Sequence, residues 1–166
     1  MIVALRIDDR LVHGQVALAW SKTLGTEGII VANDRAATNE VQKMTLKMAT
    51  PANQKMMIVT VKKAVELMNN PKSQKMKIML IVNTVKDALE LCKGISEVKE
   101  VNLAGAGRLE GGDMDKKKIL VKSCVFLRDE EVEALRELIS LGINVYNQPL
   151  PQSPRISMSD TLKSMS

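Results

Sequence analysis

The chain has 166 residues, of which 45% are hydrophobic, 26% are charged and only 2% are aromatic, and this mixture indicates a globular domain with an aliphatic core. The net charge of +5 comes without the stacking aromatics or the long basic stripe of a nucleic-acid surface, so we expect no nucleic-acid partner. The two cysteines, Cys92 and Cys124, are far apart in the sequence, so we expect both to be reduced thiols. The sequence has neither an apolar run of transmembrane length nor a signal peptide, so we expect a cytoplasmic protein.

Short β-branched runs alternate with amphipathic stretches in the first third of the chain. "IVAL" at residues 2–5 predicts a strand that is covered on both faces. "GQVALAWSKTL" predicts a helix that begins near Gly14. "GIIVAN" predicts a second strand, and Asn33 or Asp34 is placed to cap the helix that contains "EVQKMTLKMA" and ends at Pro51.

The same alternation continues through the rest of the chain. "MMIVTVKKAVELM" and "MLIVNTVKDALELC" each predict a strand followed by a helix, with Thr60 and Thr84 at the N-cap positions. "EVNLAG" predicts a strand that leads into a glycine-rich loop, residues 105–112. "KKILVKSCVFL" is a strand or a hairpin arm, "DEEVEALRELISLG" is a helix with an acidic start, and "INVYN" is a last strand.

This order of elements predicts a single α/β domain with an open, mostly parallel twisted sheet and helices on both faces. We place this domain at residues 1–150 and interpret residues 151–166 as a C-terminal tail that is surface-wrapped or partly disordered. Ligand sites in such sheets collect at the carboxyl ends of the strands. The loop that follows the first strand is therefore the first place to look for chemistry.

That loop lies in the stretch "RIDDRLVHGQV", which contains His13, the only histidine of the chain. Asp8 or Asp9 can hold one imidazole nitrogen and leave the other as a nucleophile. Arg10 supplies a planar, two-pronged donor for phosphate oxygens. Gly14 opens a helix whose first N–H groups favour an anion. Together, these groups could attack a phosphoryl group through the imidazole and stabilise it once it is bound to the ring.

Other residues and motifs extend or limit this hypothesis. The amide of Gln15 joins the predicted phosphate-binding set, and Arg6 is either a second cation for the phosphoryl group or a member of a structural ion pair.

Several familiar motifs are absent from the sequence. The single histidine and the two cysteines do not have the spacing of zinc ligands, and no Gly-x-Ser-x-Gly elbow or nucleotide-binding P-loop occurs. We interpret "GAGRLEGG" as a plain glycine loop. We therefore expect no metal and no cofactor.

"RIDDRLVHGQV" closely resembles the N-terminal signature of the IIB subunits of bacterial sugar phosphotransferase systems, in the mannose/fructose/sorbose family. "ANDRAATNEVQKMTLKMATP", "KAVELMNNPK", "VNLAGAG" and "LISLGINVYNQPLP" resemble later landmarks of that family in the same order, so the resemblance covers nearly the whole chain. Two positions depart from it: Ala104 stands where the family usually has a glycine, and Asn33 stands where an acidic residue is common.

The resemblance implies that His13 accepts a phosphoryl group from a phosphohistidine on a IIA protein and gives it to a sugar imported through the membrane subunits IIC and IID. It implies that Arg10 contacts the phosphoryl group, that Asp8 and Asp9 shape the loop, and that membrane association is peripheral, through IIC and IID. One alternative is a catalytically silent regulatory or anion-binding module on the same fold. A histidine phosphatase is disfavoured because Val12, not an arginine, precedes the histidine.

Overall fold

The computed structural model describes residues 1–109 and 116–165, so the end of the predicted glycine loop, residues 110–112, lies outside the described residues. The strands are β1 (Ile2–Asp8), β2 (Gly28–Ala32), β3 (Lys55–Val59), β4 (Ile78–Val82), β5 (Glu100–Gly105), β6 (Lys118–Val121), β7 (Val125–Leu127), β8 (Asn144–Asn147) and β9 (Ile156–Ser157). The helices are α1 (Gly14–Leu24), α2 (Asp34–Ala37), α3 (Glu40–Met48), α4 (Val61–Asn69), α5 (Val85–Gly94), α6 (Asp129–Ser140) and α7 (Met158–Ser164), with a 3₁₀ turn at Pro71–Lys75.

Seven of these strands form one sheet, in the order β3-β2-β4-β1-β5-β8-β9. Every pairing from β3 to β8 is parallel, and only β9 runs antiparallel to its neighbour β8. The segment "KKILVKSCVFL" contains a separate antiparallel hairpin, β6 with β7. The structure confirms the predicted open, mostly parallel α/β sheet.

Helices cover both faces of the sheet, as the central strand β4 shows. All five residues of β4 are buried. Ile78, Leu80 and Val82 pack in the larger core, with residues of α4, α5, α6 and α7. Met79 and Ile81 point to the opposite face and pack with residues of α1, α2 and α3. The continuous apolar runs of the sequence are therefore strands buried on both sides.

The predicted N-caps of two helices are confirmed. The hydroxyl of Thr60 accepts a hydrogen bond from the N–H of Lys63 at 3.1 Å, and the hydroxyl of Thr84 accepts one from the N–H of Asp87 at 3.1 Å. Each threonine satisfies an N–H group that has no partner within the helix. None of the helices in the described ranges combines the length and apolarity that a membrane span requires.

The prediction for the cap after β2 was wrong in one respect. Asn33 is a cap, since its Oδ1 accepts the N–H of Ala36 at 2.8 Å, but it caps the short helix α2, which begins at Asp34. The helix formed by "EVQKMTLKM" is capped instead by Asn39, whose Oδ1 accepts the N–H of Gln42 at 3.0 Å. The four residues of α2 are too few for an apolar periodicity to reveal them.

The C-terminal segment contains secondary structure that the sequence pattern did not predict. β9 adds an antiparallel edge strand to β8. Met158 and Leu162 of α7 are buried in the larger core. The carbonyl of Pro149 accepts a hydrogen bond from Trp20 Nε1 at 2.8 Å, which ties the start of this segment to α1. β9 and α7 thus add a strand and a helix to the fold, and a domain boundary at residue 150 stays a prediction.

Candidate active site

The loop between β1 and α1 lies at the carboxyl edge of the sheet and has a fixed, strained turn. The N–H of Leu11 donates to the carbonyl of Asp8 at 2.8 Å. Leu11 has a φ of 59°, in the left-handed region that a leucine rarely adopts. The side chains of Leu11 and Val12 are buried in the smaller core, and this packing holds the turn in place. The loop therefore presents the next residue, His13, in a defined position.

His13 is the N-cap residue of α1, with an extended backbone (φ −138°, ψ 136°) and no capping bond from its own side chain. The first turn of α1 carries no acidic residue. The N–H groups at the start of the helix, at Gly14 and Gln15, are therefore available to an anion placed against the ring. Arg10 has 44% of its side chain exposed, its Nε lies 3.8 Å from Asp8 Oδ1, and its charge acts on the ring of His13. The binding of phosphate by Arg10, Gly14 and Gln15 stays a prediction.

The imidazole of His13 has its Nε2 nitrogen buried beside Asp8. Nε2 is buried, lies 3.6 Å from Asp8 Oδ2, and has no hydrogen-bond partner within residues 1–109 and 116–165. A carboxylate only accepts hydrogen bonds, so this arrangement favours the tautomer with the proton on Nε2 and the lone pair on Nδ1. Burial, followed by the positive charge of Arg10, lowers the pKa of His13. The ring is therefore held in its neutral, nucleophilic form.

Asp8 is the centre of the charged cluster, and its side chain is only 1% exposed. Its Oδ2 accepts from Arg6 Nη2 at 3.0 Å, and its Oδ1 accepts from the backbone N–H of Arg10 at 3.0 Å. Arg6 is buried as well and donates a second bond to the carbonyl of Pro149 at 3.2 Å. Of the two roles that the sequence left open, the structure gives Arg6 the ion pair. Its direct contact with a phosphoryl group stays a prediction.

Arg108 is a member of the site that sequence reasoning missed. Its Nη2 lies 2.7 Å from Asp9 Oδ1 and 3.1 Å from Asp8 Oδ1, and its backbone N–H donates to Asp9 Oδ2 at 2.7 Å. Burial alone would raise the pKa of Asp9, but the hydrogen bonds from Arg108 outweigh burial and lower it. The available signal was the position of Arg108 directly after β5, at the same sheet edge as His13.

Two glycines after β5 are in close contact with neighbouring groups, Gly105 with the side chain of Arg108 and Gly107 with Phe126 of the hairpin. The carbonyl of Gly105 accepts the N–H of Asp9 at 3.1 Å, and a Cβ on Gly105 would lie 2.0 Å from Arg108 Nη2. Gly107 has a φ of 75°, and a Cβ there would lie 1.9 Å from the carbonyl oxygen of Phe126. A Cβ at Gly105 would displace the end of the Arg108 side chain, whereas one at Gly107 would require the backbone to move.

The described residues of this cluster carry a net positive charge. Three guanidiniums, of Arg6, Arg10 and Arg108, face the two carboxylates of Asp8 and Asp9, which leaves one positive charge. Within the described ranges, no group of three or more His, Cys, Asp and Glu side chains is arranged to hold a metal ion. The cluster suits a small, multiply charged anion at the ring.

Fold and site together define an α/β protein that presents one neutral imidazole, with arginines beside it, at the carboxyl edge of a parallel sheet. Residues 2–166 match the family described as the sorbose subfamily IIB component of the phosphotransferase system. The chain is 42% identical over 160 residues to a probable phosphotransferase enzyme IIB component of Streptococcus pyogenes serotype M6, across 96% of this chain and 98% of that protein.

Two further comparisons agree with this match. The crystal structure of the IIB domain of the sorbose permease from Klebsiella pneumoniae superposes with a TM-score of 0.90 at 30% identity, over 100% of this chain and 98% of that one. The mannose-specific EIIAB component of Escherichia coli K12 is 31% identical over 163 residues, which is 98% of this chain and 49% of that protein. The chain therefore belongs to the sorbose subfamily of phosphotransferase system IIB components, and the predicted assignment to sugar phosphotransferase enzymes is confirmed.

Proposed function

We propose that His13 receives a phosphoryl group from a phosphohistidine of a IIA protein and passes it to a sugar imported through the membrane subunits IIC and IID. The observation that carries this proposal is the state of the ring: Nε2 is buried against Asp8, and the lowered pKa keeps the imidazole neutral. A neutral imidazole with its lone pair on Nδ1 is the species that attacks phosphorus.

In the first step, the lone pair of His13 Nδ1 forms a bond to phosphorus while the N–P bond of the donor phosphohistidine breaks and its electron pair returns to the donor ring. Both the bond that forms and the bond that breaks join an imidazole nitrogen to phosphorus, so the transfer is nearly balanced in free energy. Alignment and charge neutralisation then supply most of the catalysis. In the second step, the oxygen of a sugar hydroxyl forms a bond to phosphorus while the P–Nδ1 bond breaks and its electron pair returns to Nδ1, and the hydroxyl proton is released to solvent.

The residues around the ring provide the charge neutralisation. Arg10 and the amides of Gly14 and Gln15 stabilise the equatorial oxygens of the phosphoryl group as it moves. The net positive charge of the cluster draws a dianionic group to the ring. The aspartates keep the loop closed behind the ring: Asp8 accepts the backbone N–H of Arg10 at 3.0 Å, and the N–H of Asp9 donates to the carbonyl of Gly105 at 3.1 Å.

The partners follow from the same chemistry. The Escherichia coli mannose relative is an EIIAB component and is about twice as long as the part that matches this chain, which supports a IIA protein as the phosphoryl donor. Delivery to an imported sugar requires the membrane subunits IIC and IID. We therefore place the protein in the cytoplasm, peripherally attached to the membrane through those subunits, with the ring facing its partners in turn.

Incubation with a phosphorylated IIA protein tests this proposal. The intact mass of the wild-type chain should increase by one phosphoryl group that is labile in acid, and His13→Ala should gain none while keeping its circular dichroism spectrum. Full labelling of a folded His13→Ala protein would contradict the proposal. Unchanged mass of the wild-type chain together with noncovalent binding of phosphate would favour the silent anion-binding module instead.

A further inference from the structure

The side chain of Arg108 bridges both carboxylates of the loop from the neighbouring strand end. Its Nε and Nη2 lie 3.1 and 2.7 Å from Asp9 Oδ1, and Nη2 also lies 3.1 Å from Asp8 Oδ1. The side chain is 22% exposed, while those of Asp9 and Asp8 are only 6% and 1% exposed. The fork of Nε and Nη2 is on Asp9, and Nη2 also reaches Asp8. A single ammonium nitrogen cannot reproduce this two-nitrogen contact with Asp9.

We propose that Arg108 is a positioning residue for phosphoryl transfer, which holds Asp8 and Asp9 in the geometry that orients the ring of His13. This proposal rests on the proposed function of His13. Arg108 acts through the two aspartates and is not required to touch the phosphoryl group.

The contacts connect Arg108 to the ring in two steps. The first step is the bridge from Nη2 to Asp8 Oδ1 at 3.1 Å. The second step is the approach of the other oxygen of the same carboxylate, Oδ2, to His13 Nε2 at 3.6 Å. Rotation of the Asp8 carboxylate would therefore move the oxygen that faces Nε2, and with it the direction of the Nδ1 lone pair. Arg108 and Arg6, at opposite oxygens, prevent that rotation.

The electrostatic contacts around the ring lead to the same role. Among the described residues, the main charged groups that act on His13 are Arg10, Asp8, Arg6 and Arg108, and of these only Asp8 favours the protonated ring. Loss of the Arg108 charge would remove a cation that repels the protonated ring of His13. It would also leave less positive charge to neutralise the Asp8 carboxylate, which attracts the protonated ring. Both changes favour protonation, so the pKa of His13 should rise and the fraction of nucleophilic ring should fall.

The hairpin of β6 and β7 fixes the loop from which Arg108 projects. Ala106 donates to the carbonyl of Cys124 at 3.0 Å and accepts the N–H of Phe126 at 3.0 Å, so the loop pairs directly with the hairpin. The buried Lys117 donates from Nζ to the carbonyl of Gly107 at 2.9 Å. The backbone on the N-terminal side of Arg108 is therefore held by hydrogen bonds, as a positioning role requires.

The test compares Arg108→Met and Arg108→Lys with Arg136→Met, an arginine of α6 that is also partly exposed and pairs with Glu133. His13 is the only histidine, so an NMR titration of histidine ring protons reports on this one site. Arg108→Met should raise the pKa of His13 and lower kcat for transfer from phosphorylated IIA by about 10- to 100-fold, with KM for IIA little changed. Arg136→Met should match the wild type in all three quantities.

Arg108→Lys separates charge from geometry. The ammonium restores the positive charge, so the pKa of His13 should return toward the wild-type value. We expect kcat to stay low because a single nitrogen cannot replace the contact of both Nε and Nη2 with Asp9. Full restoration of kcat by lysine would overturn the positioning role of the fork. If Arg108→Met does not fold, the lysine variant carries the test by itself.

Other outcomes would also overturn the proposal. A folded Arg108→Met protein with wild-type kcat and a wild-type His13 pKa would do so, and so would a loss of thermal stability that leaves both quantities unchanged. Failure of the proposed function is distinguishable from these results. In that case the wild-type chain itself gains no phosphoryl group, while the titration of His13 still shows whether Arg108 acts on the ring.

Discussion

Two pairs of aspartates lie at the carboxyl edge of the sheet, and their surroundings have opposite effects on them. Asp8 and Asp9, after β1, are bridged by Arg108, and the pKa of Asp9 is lowered. Asp34 and Asp87, which follow β2 and β4, interact with each other instead. Burial, followed by the charges of Asp34 and Glu90, raises the pKa of Asp87 to about 6.

The difference shows that carboxylates at a sheet edge do not by themselves make a reactive site. Asp34 serves the fold, since its Oδ1 accepts the N–H of Val61 at the start of α4 at 2.9 Å. Asp87 lies in the first turn of α5, where its charge faces the positive end of the helix. Only the first pair stands between guanidiniums and an imidazole. We call the part of the edge with Asp8 and Asp9 the chemical half and the part with Asp34 and Asp87 the structural half. The placement of arginines therefore distinguishes the two halves.

Arg10→Met should have the largest effect, because it removes the exposed cation from the chemical half. We expect the rate of phosphoryl transfer to His13 to fall by about 10²- to 10³-fold, the usual cost of losing one donor to a developing charge. The pKa of His13 should also rise, since Arg10 lowers it through its positive charge. Single-turnover labelling by phosphorylated IIA across a pH series measures both effects.

The direction in which pH changes the transfer rate follows from the protonation state of His13 that reacts. The neutral ring reacts, so the rate should fall as pH drops below the pKa of His13, and this fall should begin at a higher pH in Arg10→Met than in the wild type. Arg136→Met is the control on a remote helix. Equal rates for Arg10→Met and the wild type would show that Arg10 does not distinguish the two halves.

Gly107→Ala tests whether the backbone behind Arg108 is as constrained as its geometry indicates. The new Cβ would lie 1.9 Å from the carbonyl oxygen of Phe126, at a φ of 75°, so the loop must move. We expect a loss of about 2–3 kcal/mol in the free energy of unfolding, from backbone strain and displacement of a packed strand. Urea unfolding of both proteins provides the measurement.

Gly142→Ala is the matched control for this change. Gly142 has a φ of 86°, but a Cβ there has nothing within 4 Å. This substitution should cost about 1 kcal/mol, from the left-handed backbone alone. Equal losses for the two alanine variants would mean that the loop yields freely, and the constraint on Arg108 would then be absent.

The parts of the molecule that could be predicted are those that local sequence determines. Thr60 and Thr84 follow apolar runs and precede amphipathic stretches, so three or four neighbouring residues suffice to identify a cap. The loop of His13 was recognisable for the same reason, because its aspartates, arginine and glycine are adjacent in the chain. Arg108 is separated from Asp9 by 99 residues, and their contact exists only because β5 pairs beside β1. Such a contact follows from strand order, which local patterns do not determine.

Asp87→Asn should have the smallest effect, and it tests the structural half of the edge. The pKa of Asp87 in the folded chain, about 6, exceeds its ordinary value of 3.8. The stability that its protonated form contributes is therefore complete below pH 3.8 and is lost as the pH rises through 6. Asparagine removes the charge while keeping the shape. We expect a gain of about 1 kcal/mol at pH 7, after allowance for solvent screening and for the lost interaction with the helix dipole.

Asp160→Asn is the control for Asp87→Asn, because the two aspartates occupy equivalent positions in their helices. The N–H of Asp87 donates to the hydroxyl of Thr84, and the N–H of Asp160 donates to the hydroxyl of Ser157. Asp160 is exposed, so its substitution removes only a favourable helix-dipole interaction and should be neutral or slightly destabilising. Urea unfolding near pH 4 and at pH 7 separates the variants. If both substitutions destabilise the protein at pH 7 to the same extent, the charge of Asp87 is compensated, and the two halves of the edge do not differ as we infer.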